Sequence, residues 1–446
     1  MQRDLENKEI SRYLRVYNYY RNLILGEKLR PGTKLPSIRK GAAEFQMSRT
    51  TMETAYMLLA AEGYIISRPQ SGFYVTDIAK KQNVRNRGQT LGAKREKKKP
   101  KIEYDFVTTS VDRESFKFDL WRRYMKSALR QDERLLFYGE PQGEWEFREV
   151  LTEYLREMRS VVCSPEQIVI GAGVQSLLHV LCPLLDRQRK IVFDNPDFLQ
   201  GKAIFEDHGF CIAGDYHGEG VGTYYISPSQ LTKWGGVMQT ADRLRLIGEA
   251  SEREVLIIED DYNSEFCYFQ KPTPSLQGLS GGKGVVYLGT FSKMLLPSIR
   301  MSFMALPPEL LDEYQKRKNS YNQTASKAEQ IAITQFIRDG HLAGQIRKSR
   351  KIHAAKAEKL LQAAREVMGE AVKLEIQEPG FTIRMDIKTP LPSDEIVCRA
   401  EKKGIAVLAL PDKKALPGRA ALLLVCTNVP AADYEKAMKR LRECWE

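Results

Sequence analysis

The fold is decided by the stretch VVYLGTFSK at residues 285–293. Its β-branched and aromatic residues predict a buried strand that ends at Gly289, and two hydroxyl side chains and a lysine follow. In an open α/β sheet, ligands lie beyond the carboxyl ends of the strands, so Lys293 is expected where chemistry can occur. A partly desolvated lysine with a lowered pKa is a candidate for a Schiff base with a carbonyl cofactor. The alternative for such a lysine is a solvated surface position.

Two further segments favour a site over a surface lysine. The run VLIIEDDY at residues 255–262 is a second apolar strand pattern, and it ends in carboxylates and a phenol. A third strand pattern is followed by GAGVQS at residues 171–176 and then by a leucine-rich helix. Glycines between a strand and a helix let backbone N–H groups approach a phosphate, and the helix dipole assists. With Ser292, Lys293 and Arg300 downstream, we interpret this turn as a phosphate-binding turn.

Composition limits the class of protein. The chain has 446 residues, of which 28% are charged and 42% hydrophobic, as expected of a soluble globular protein with two or more domains. No apolar run approaches the roughly 20 residues of a membrane span, and the N-terminus has no signal-peptide core. The seven cysteines are scattered without a Cys-x-x-Cys pair, which favours reduced thiols in the cytoplasm and argues against a zinc site. The net charge of +12 favours an anionic partner.

The first 77 residues have the pattern of three short helices and a hairpin. Apolar residues near helical spacing predict the first helix, Ser37 and Ser48 are placed to cap the second and third, and Gly63 is placed to end the third. Residues 64–75 then predict strand, turn and strand. Together these elements predict a winged helix-turn-helix, and the alternative is a small helical docking domain with solvated arginines.

Four segments between Pro31 and Val75 resemble the DNA-binding domain of GntR-type regulators. They read PGTKLPSIR at 31–39, SRTT at 48–51, AEGY at 61–64 and SRPQSG at 67–72. The third helix would enter a major groove with its first turn, and the second helix and the wing would contact phosphates or a groove. The DNA contacts expected from this resemblance are Arg39, Ser48, Arg49, Thr50, Thr51, Arg68, Ser71 and Gly72.

A basic segment separates this region from the rest of the chain. Between Ile78 and Glu103 the apolar periodicity disappears, and lysines and arginines dominate. Such a segment cannot bury enough surface to become ordered, so we expect a flexible tether that spans about 25–30 Å on average. Nonspecific binding to DNA phosphates is the alternative role. The expected domains are therefore a winged helix-turn-helix at 1–77, a linker at 78–103 and a larger α/β domain at 104–446.

The larger domain resembles fold-type I pyridoxal phosphate (PLP) proteins, which have the aspartate aminotransferase architecture. Helix and strand patterns alternate along it, as an α/β sheet requires. The matching segments are YGEPQG at 138–143, GAGVQS at 171–176, EDDYNSEF at 259–266, and GTFSK at 289–293 with Pro297 and Arg300 downstream. The whole chain is similar to the MocR-type branch of the GntR regulators, in which a winged helix is fused to an aminotransferase-like domain.

The resemblance implies a role for each residue of a PLP site. Lys293 would form the Schiff base, Asp260 would pair with the pyridine nitrogen and Tyr262 would donate to the ring oxygen. Phe198 would stack on the ring, and Tyr138 would reach the phosphate of the partner subunit, which implies a homodimer. For Phe198 and Tyr138, ordinary core packing is the alternative. The residues expected to hold the phosphate are Arg300, Thr290, Ser292, Gly173, Val174 and Gln175.

Two positions depart from the family pattern. Transamination needs a clamp for the substrate carboxylate, usually an arginine near the C-terminal strand. In the family this strand reads roughly Leu-Arg-Leu, and here Leu423 stands in the place of the arginine. Gln230 replaces a basic or imidazole side chain that some members use on the effector. Arg384 and Lys233 are candidates for a replacement clamp, and a solvated or structural arginine is the alternative for Arg384.

These departures leave three functional hypotheses. The first is a DNA-binding regulator whose larger domain senses PLP itself or an amino acid bound as an external aldimine, without productive turnover. The second is an active aminotransferase that carries a DNA-binding module. The third is a regulator that has lost the cofactor, which the retained site residues oppose. Because a leucine cannot hold a carboxylate, we favour PLP as the effector.

Overall fold

The computed structural model describes residues 12–26, 28–77, 101–108, 111–112, 114–195, 197–231, 236–266, 273–377, 382–410 and 416–446. The chain divides into two compact units, Met1–Lys99 and Pro100–Glu446. The basic segment predicted as a linker lies outside the described residues as far as residue 100, and Lys233 lies outside them as well.

The first unit contains three helices and a hairpin, as predicted for a winged helix-turn-helix. Its elements are α1 (Arg12–Leu25), α2 (Ile38–Glu44), α3 (Arg49–Ala61), β1 (Ile65–Arg68) and β2 (Gly72–Val75). Ser37 caps α2 by accepting from the backbone N–H of Lys40 at 3.2 Å, and Ser48 caps α3 by accepting from that of Thr51 at 3.1 Å. Both predicted caps are confirmed, since capping depends on residues only three positions apart.

The core of this unit lies between α1 and α3. Met52, Ala55, Tyr56 and Leu59 are buried on one side of α3, as their helical spacing predicts, and they pack against buried residues of α1. A Cβ on Gly41 would lie 2.2 Å from Cε of Met52, so the glycine permits the close approach of α2 to α3. Burial of each large apolar side chain contributes about 1.5–3 kcal/mol to this small core.

Helices and strands alternate along the second unit. Its helices are α4 (Phe118–Leu129), α5 (Asp132–Leu135), α6 (Trp145–Arg159), α7 (Val174–Leu181), α8 (Leu199–Asp207), α9 (Thr240–Glu252), α10 (Leu276–Leu279), α11 (Pro308–Arg317), α12 (Lys327–Arg338), α13 (His341–Met368), α14 (Ser393–Lys402) and α15 (Tyr434–Arg442). Its strands are β3 (Tyr104–Asp105), β4 (Ile168–Gly171), β5 (Lys190–Phe193), β6 (Ile212–Ala213), β7 (Val221–Ile226), β8 (Leu256–Asp261), β9 (Val285–Thr290), β10 (Ser302–Ala305), β11 (Val372–Gln377), β12 (Thr382–Lys388), β13 (Ile405–Ala406), β14 (Leu408–Ala409) and β15 (Arg419–Val425).

Within the described residues, the larger sheet has seven strands in the order β4-β10-β9-β8-β7-β5-β6. The strands from β9 to β6 are parallel, whereas β10 runs antiparallel to both of its neighbours. The carboxyl ends of β7, β8 and β9 therefore meet at one edge of the sheet. Because ligands of such sheets lie at this edge, the segments after β8 and β9 are the ones positioned for a site.

Gly289 does not end its strand, so that prediction is wrong. The strand β9 continues to Thr290, and Gly289 pairs with Phe303 of β10. A Cβ on Gly289 would lie 2.3 Å from Cζ of Phe303. The glycine makes room for the aromatic ring of the neighbouring strand, a tertiary reason that no local pattern contains.

A smaller antiparallel sheet of the order β11-β12-β15-β14 is formed by the C-terminal part of the chain. Residues of β15 such as Leu422 and Leu424 pack in one cluster with residues of α13 and α15. None of the helices in the described part of the chain is both long enough and apolar enough to cross a membrane.

Candidate functional site

Asp260 stands at the carboxyl-terminal end of β8 with a buried carboxylate. The hydroxyl of Tyr225, on the neighbouring strand β7, donates to its Oδ2 at 2.7 Å. Burial raises the pKa of Asp260 to about 6, although the Tyr225 hydrogen bond lowers it in part. A cation placed beside this carboxylate would be stabilised by it and would lower its pKa again.

The flanking carboxylates of β8 point to the opposite face of the sheet, since side chains alternate along a strand. Asp261 accepts from Nε of Arg159 at 2.6 Å and from the Tyr287 hydroxyl at 2.6 Å. Burial raises the pKa of Asp261, but the Arg159 charge and the hydrogen bonds outweigh it, so the pKa is lowered. Glu259 accepts from two backbone N–H groups in the first turn of α10, both at 2.9 Å. The strand therefore keeps one carboxylate on the ligand side and ties the other two into the fold.

Lys293 lies in the turn after β9 and is half-buried. Burial lowers the pKa of its ammonium to about 8. The amine is therefore partly neutral near physiological pH, which a nucleophile requires. At the end of β8, burial and then the charge of Asp260 raise the pKa of Tyr262 to about 12, so this phenol stays protonated and can donate a hydrogen bond.

The turn where β4 leads into α7 has the features of an anion cradle. Gly173 is the N-cap residue of α7 and has a φ of 98°. A Cβ on Gly173 would lie 2.5 Å from Nη2 of Arg300, so the guanidinium sits directly against the glycine backbone. Val174 and Gln175 form the first turn of α7, where backbone N–H groups lack helical partners and the helix dipole is positive.

Two hydroxyls lie beside the Lys293 turn. The Thr290 hydroxyl donates to the Ser292 hydroxyl at 3.0 Å, and the backbone N–H of Ser292 donates to Oγ1 of Thr290 at 3.2 Å. The two predicted phosphate ligands are thus held together. Arg300 has a φ of 50°, in the left-handed region that non-glycine residues rarely occupy, and such strain is concentrated at functional sites.

Phe198 lies next to the Asp260 partner, whereas Tyr138 is turned to solvent. The ring centroid of Phe198 is 5.3 Å from that of Tyr225, and a Cβ on Gly201 would lie 2.1 Å from Cε1 of Phe198. The side chain of Tyr138 is fully exposed in the single chain, as are large parts of Leu136 and Phe137. Its contact with a partner subunit stays a prediction.

The candidates for effector binding are engaged inside the chain. Arg384 donates to both carboxylate oxygens of Asp386, at 2.9 and 2.8 Å. Leu423 pairs with Arg384 across β12 and β15 and is buried in an apolar cluster with Leu410 and Ala421.

Gln230 is also engaged. It is buried, and its Oε1 accepts from Nδ2 of Asn263 at 2.6 Å. Asn263 follows Tyr262 with a φ of 69°, so Gln230 supports the turn that leaves β8. This position therefore has an evident structural role.

The predicted DNA contacts lie on α2, α3 and the hairpin. Arg39, Arg49, Thr50 and Arg68 are exposed, whereas the Ser48 hydroxyl serves the N-cap. The guanidinium of Arg68 lies 4.6 Å from the ring centroid of Tyr74. Thr51, Ser71 and Gly72 are half-buried.

Tyr225 and Arg159 were not predicted from the sequence. Tyr225 is one of several strand tyrosines, and only its hydrogen bond to Asp260 distinguishes it. Arg159 ends α6 far from β8 in sequence, and no spacing signals its ion pair with Asp261. For Arg384 a signal existed, because Arg384 and Asp386 are two residues apart on a strand and therefore share a face.

Comparison with known proteins assigns a family to each unit. Residues 12–75 match the model of bacterial regulatory proteins of the gntR family, and residues 111–213 and 235–441 match the model of aminotransferases of class I and II. These matches confirm the predicted combination of a winged helix-turn-helix with an aminotransferase-like domain.

Similar proteins match most or nearly all of the chain. The chain is 33% identical over 452 residues to the uncharacterized HTH-type transcriptional regulator YdeL of Bacillus subtilis, and the match covers 98% of this chain and 97% of that protein. It is 27% identical over 419 residues to the probable rhizopine catabolism regulatory protein MocR of Rhizobium meliloti, covering 88% and 85%. Among solved structures, the multiple substrate aminotransferase of Thermococcus profundus matches with a TM-score of 0.63 and 23% identity, covering 76% of this chain and 90% of that one. This last likeness concerns the fold alone.

Proposed function

The chain belongs to the MocR-type branch of the GntR family, the transcriptional regulators with an aminotransferase-like domain, and on this premise we propose that this domain binds PLP through Lys293 and senses it. The observation that carries the proposal is the half-buried Lys293, whose burial lowers its pKa to about 8 at the same edge of the sheet as Asp260. PLP supplies an aldehyde that accepts an amine and a ring that withdraws electrons.

The residues at this edge fit PLP in charge and shape. The buried carboxylate of Asp260 would hold a proton on the pyridine nitrogen, and Tyr262 would donate to the ring oxygen. The space that a Cβ on Gly173 would fill, against the Arg300 guanidinium, suits a phosphate oxygen. The hydroxyls of Thr290 and Ser292 would complete this cradle. Phe198 would cover the ring face.

The effector that suits this site best is PLP itself. An amino-acid effector needs a cation for its carboxylate, but Leu423 is buried in an apolar cluster and Arg384 already binds both oxygens of Asp386. We therefore expect no productive turnover. An amino acid held on the cofactor, with Arg384 or Lys233 as the clamp, is the competing effector hypothesis.

An absorbance titration of the purified protein with PLP tests the cofactor proposal. Wild-type protein should gain the visible band of a lysine-bound cofactor, and Lys293→Ala should abolish the band while the protein remains folded. Lys283→Ala is the matched control, because Lys283 is exposed and lies just before the start of β9. A band that persists in Lys293→Ala would refute the assignment of the lysine.

A panel of amino acids, including D-alanine and GABA, then separates the effector hypotheses. A band that no amino acid changes supports PLP as the signal. A shift with one amino acid and no keto-acid release identifies that compound as the effector. Keto-acid release with repeated turnover would establish the second candidate function, an active aminotransferase, which the aminotransferase fold favours and Leu423 opposes.

We further propose that the protein acts as a cytoplasmic homodimer and binds its operator through the first unit. Arg49 is exposed in the first turn of α3, the end of a recognition helix that faces base edges. Arg49→Ala should weaken operator binding far more than Lys97→Ala, a change in the basic segment outside the described residues. Equal losses would mean that the basic segment, rather than α3, carries recognition.

A further inference from the structure

We propose that Tyr74 is a positioning residue of the hairpin. Its ring holds Lys34 and Arg68 together so that both contact DNA phosphates. The inference rests on the DNA-binding function proposed above and deepens it, because Lys34 and Tyr74 were not among the expected contacts. We call Lys34, Arg68 and Tyr74 the wing cluster.

Two cations lie over a single aromatic ring in the wing cluster. The guanidinium carbon of Arg68 is 4.6 Å from the ring centroid of Tyr74, and Nζ of Lys34 is 5.8 Å from it. Both distances are within the range of a cation–π attraction. The Tyr74 hydroxyl is 2.6 Å from that of Ser71, within hydrogen-bonding distance.

The backbone brings the two cations from opposite sides of β2. Tyr74 pairs with Ile66 of β1, so Arg68, two residues further along β1, shares its face. On the other side of β2, Lys34 forms an isolated bridge with Tyr74. A Cβ on Gly72 would lie 3.5 Å from Cε of Lys34, so the lysine runs across the glycine toward the hairpin turn.

Charge decides what this arrangement can bind. Two like charges held over one ring repel each other, and an anion between them relieves that repulsion. In the described part of the chain, neither Lys34 nor Arg68 forms an ion pair with a carboxylate. The neighbouring Gly72 has no side chain, which leaves room for the Lys34 side chain beside the hairpin.

The salt dependence of binding tests whether both cations contact phosphates. The probe is a labelled duplex that the full-length protein enriches from a random library. Lys34→Gln and Arg68→Gln should each reduce the slope of log affinity against log salt by about 0.9, the value for one phosphate contact. Arg21→Gln is the control: it removes the arginine that donates to Tyr64 at 3.2 Å, elsewhere in the same unit, and should leave the slope unchanged. Unchanged slopes for Lys34→Gln and Arg68→Gln would overturn the proposal.

A mutant cycle tests the positioning role. Tyr74→Leu should weaken binding by about two- to fivefold, whereas Tyr74→Phe, which keeps the ring, should restore it. In the Lys34→Gln/Arg68→Gln background, Tyr74→Leu should have no further effect, because nothing remains to be positioned. A loss of the same size in that background would show that Tyr74 only supports the fold and would overturn the proposal. If the library yields no enriched duplex, the DNA-binding function itself fails, which is a different result.

Discussion

Asp260 destabilises the ligand-free protein because its buried carboxylate has a pKa of about 6, above that of an unfolded chain. The folded state therefore binds more protons than the unfolded state between about pH 4 and pH 6, and stability falls as the pH rises through this window. Asp260→Asn keeps the shape and an oxygen for the Tyr225 hydroxyl. We expect it to raise the free energy of unfolding at neutral pH by on the order of 1–3 kcal/mol.

The same substitution should weaken PLP binding, because an amide cannot hold the proton on the pyridine nitrogen. Chemical denaturation at pH 5 and pH 7, combined with the PLP titration, measures both effects. A variant that loses stability at neutral pH would contradict the argument. Opposite signs for stability and affinity are the signature of a residue retained for a ligand.

The lowered pKa of Lys293 predicts that the rate of PLP uptake depends on pH. Its ammonium has a pKa of about 8, so the neutral fraction of the amine rises through that pH, where it is one half, and levels off about one unit above it. The rate of PLP uptake by ligand-free protein should follow the same curve, with about a tenth of the amine neutral near pH 7. Stopped-flow absorbance across this range provides the measurement. A rate that is independent of pH would mean that another step limits uptake.

Residue identities in the site were partly predictable. Lys293, Asp260 and Tyr262 follow strand patterns directly, and the ends of neighbouring strands in a sheet have to meet. Tyr225 was not predictable, because its hydrogen bond depends on which strand lies beside β8. The hydrogen bonds of Gln230 depend in the same way on a turn formed elsewhere in the sequence.

At the scale of an element, the packing of β9 against β10 requires a glycine at position 289. Gly289→Ala would place a methyl group 2.3 Å from the ring of Phe303. We expect the free energy of unfolding of the larger unit to fall by about 1–3 kcal/mol, as overpacking of a core does. Gly289→Ala/Phe303→Leu should recover part of the loss, because the leucine vacates the space of the ring edge.

Gly248→Ala is the matched control for this experiment. Gly248 lies in α9, and nothing is within 4 Å of a Cβ built there. Alanine at such a helical position should stabilise the protein by about 0.5–1 kcal/mol. If Gly289→Ala behaved like this control in thermal unfolding, the close packing of β9 on β10 would not be a constraint.

The correct prediction of the helix caps and the wrong prediction of a strand end at Gly289 have different physical causes. Ser37 and Ser48 were assigned correctly because the hydroxyl and the N–H that it accepts from are three residues apart. The end of β9 was misplaced because the reason for Gly289 lies in β10. Local patterns are decided within a few residues, whereas packing between elements depends on the completed sheet.

At the scale of the whole molecule, the exposed apolar run at residues 136–138 favours a homodimer. Phe137 is 72% exposed and stands between two other large exposed side chains, a pattern typical of an interaction site. If the proposed homodimer forms through this run, Phe137→Asp should sediment as a monomer. It should also weaken operator binding, because a dimer contacts two half-sites and a monomer only one.

Leu244→Asp is the control for this change, since Leu244 is 52% exposed on α9 and isolated charges there should be tolerated. A dimer that persists in Phe137→Asp would exclude the 136–138 run from the interface. It would also remove the basis for assigning Tyr138 to the partner's phosphate site.

The consecutive carboxylates of β8 face alternate sides of the sheet, and this determines which mutations the strand tolerates. Loss of the codon for Ile258 would move Asp261 to the position that faces Tyr225, so an aspartate would still stand on the ligand side. Tyr262 would move to the position that faces Arg159, and a buried guanidinium would lose its counter-ion. An in-frame deletion in this strand is therefore expected to destabilise the larger unit, whereas a point substitution at Asp260 changes only the carboxylate beside Tyr225.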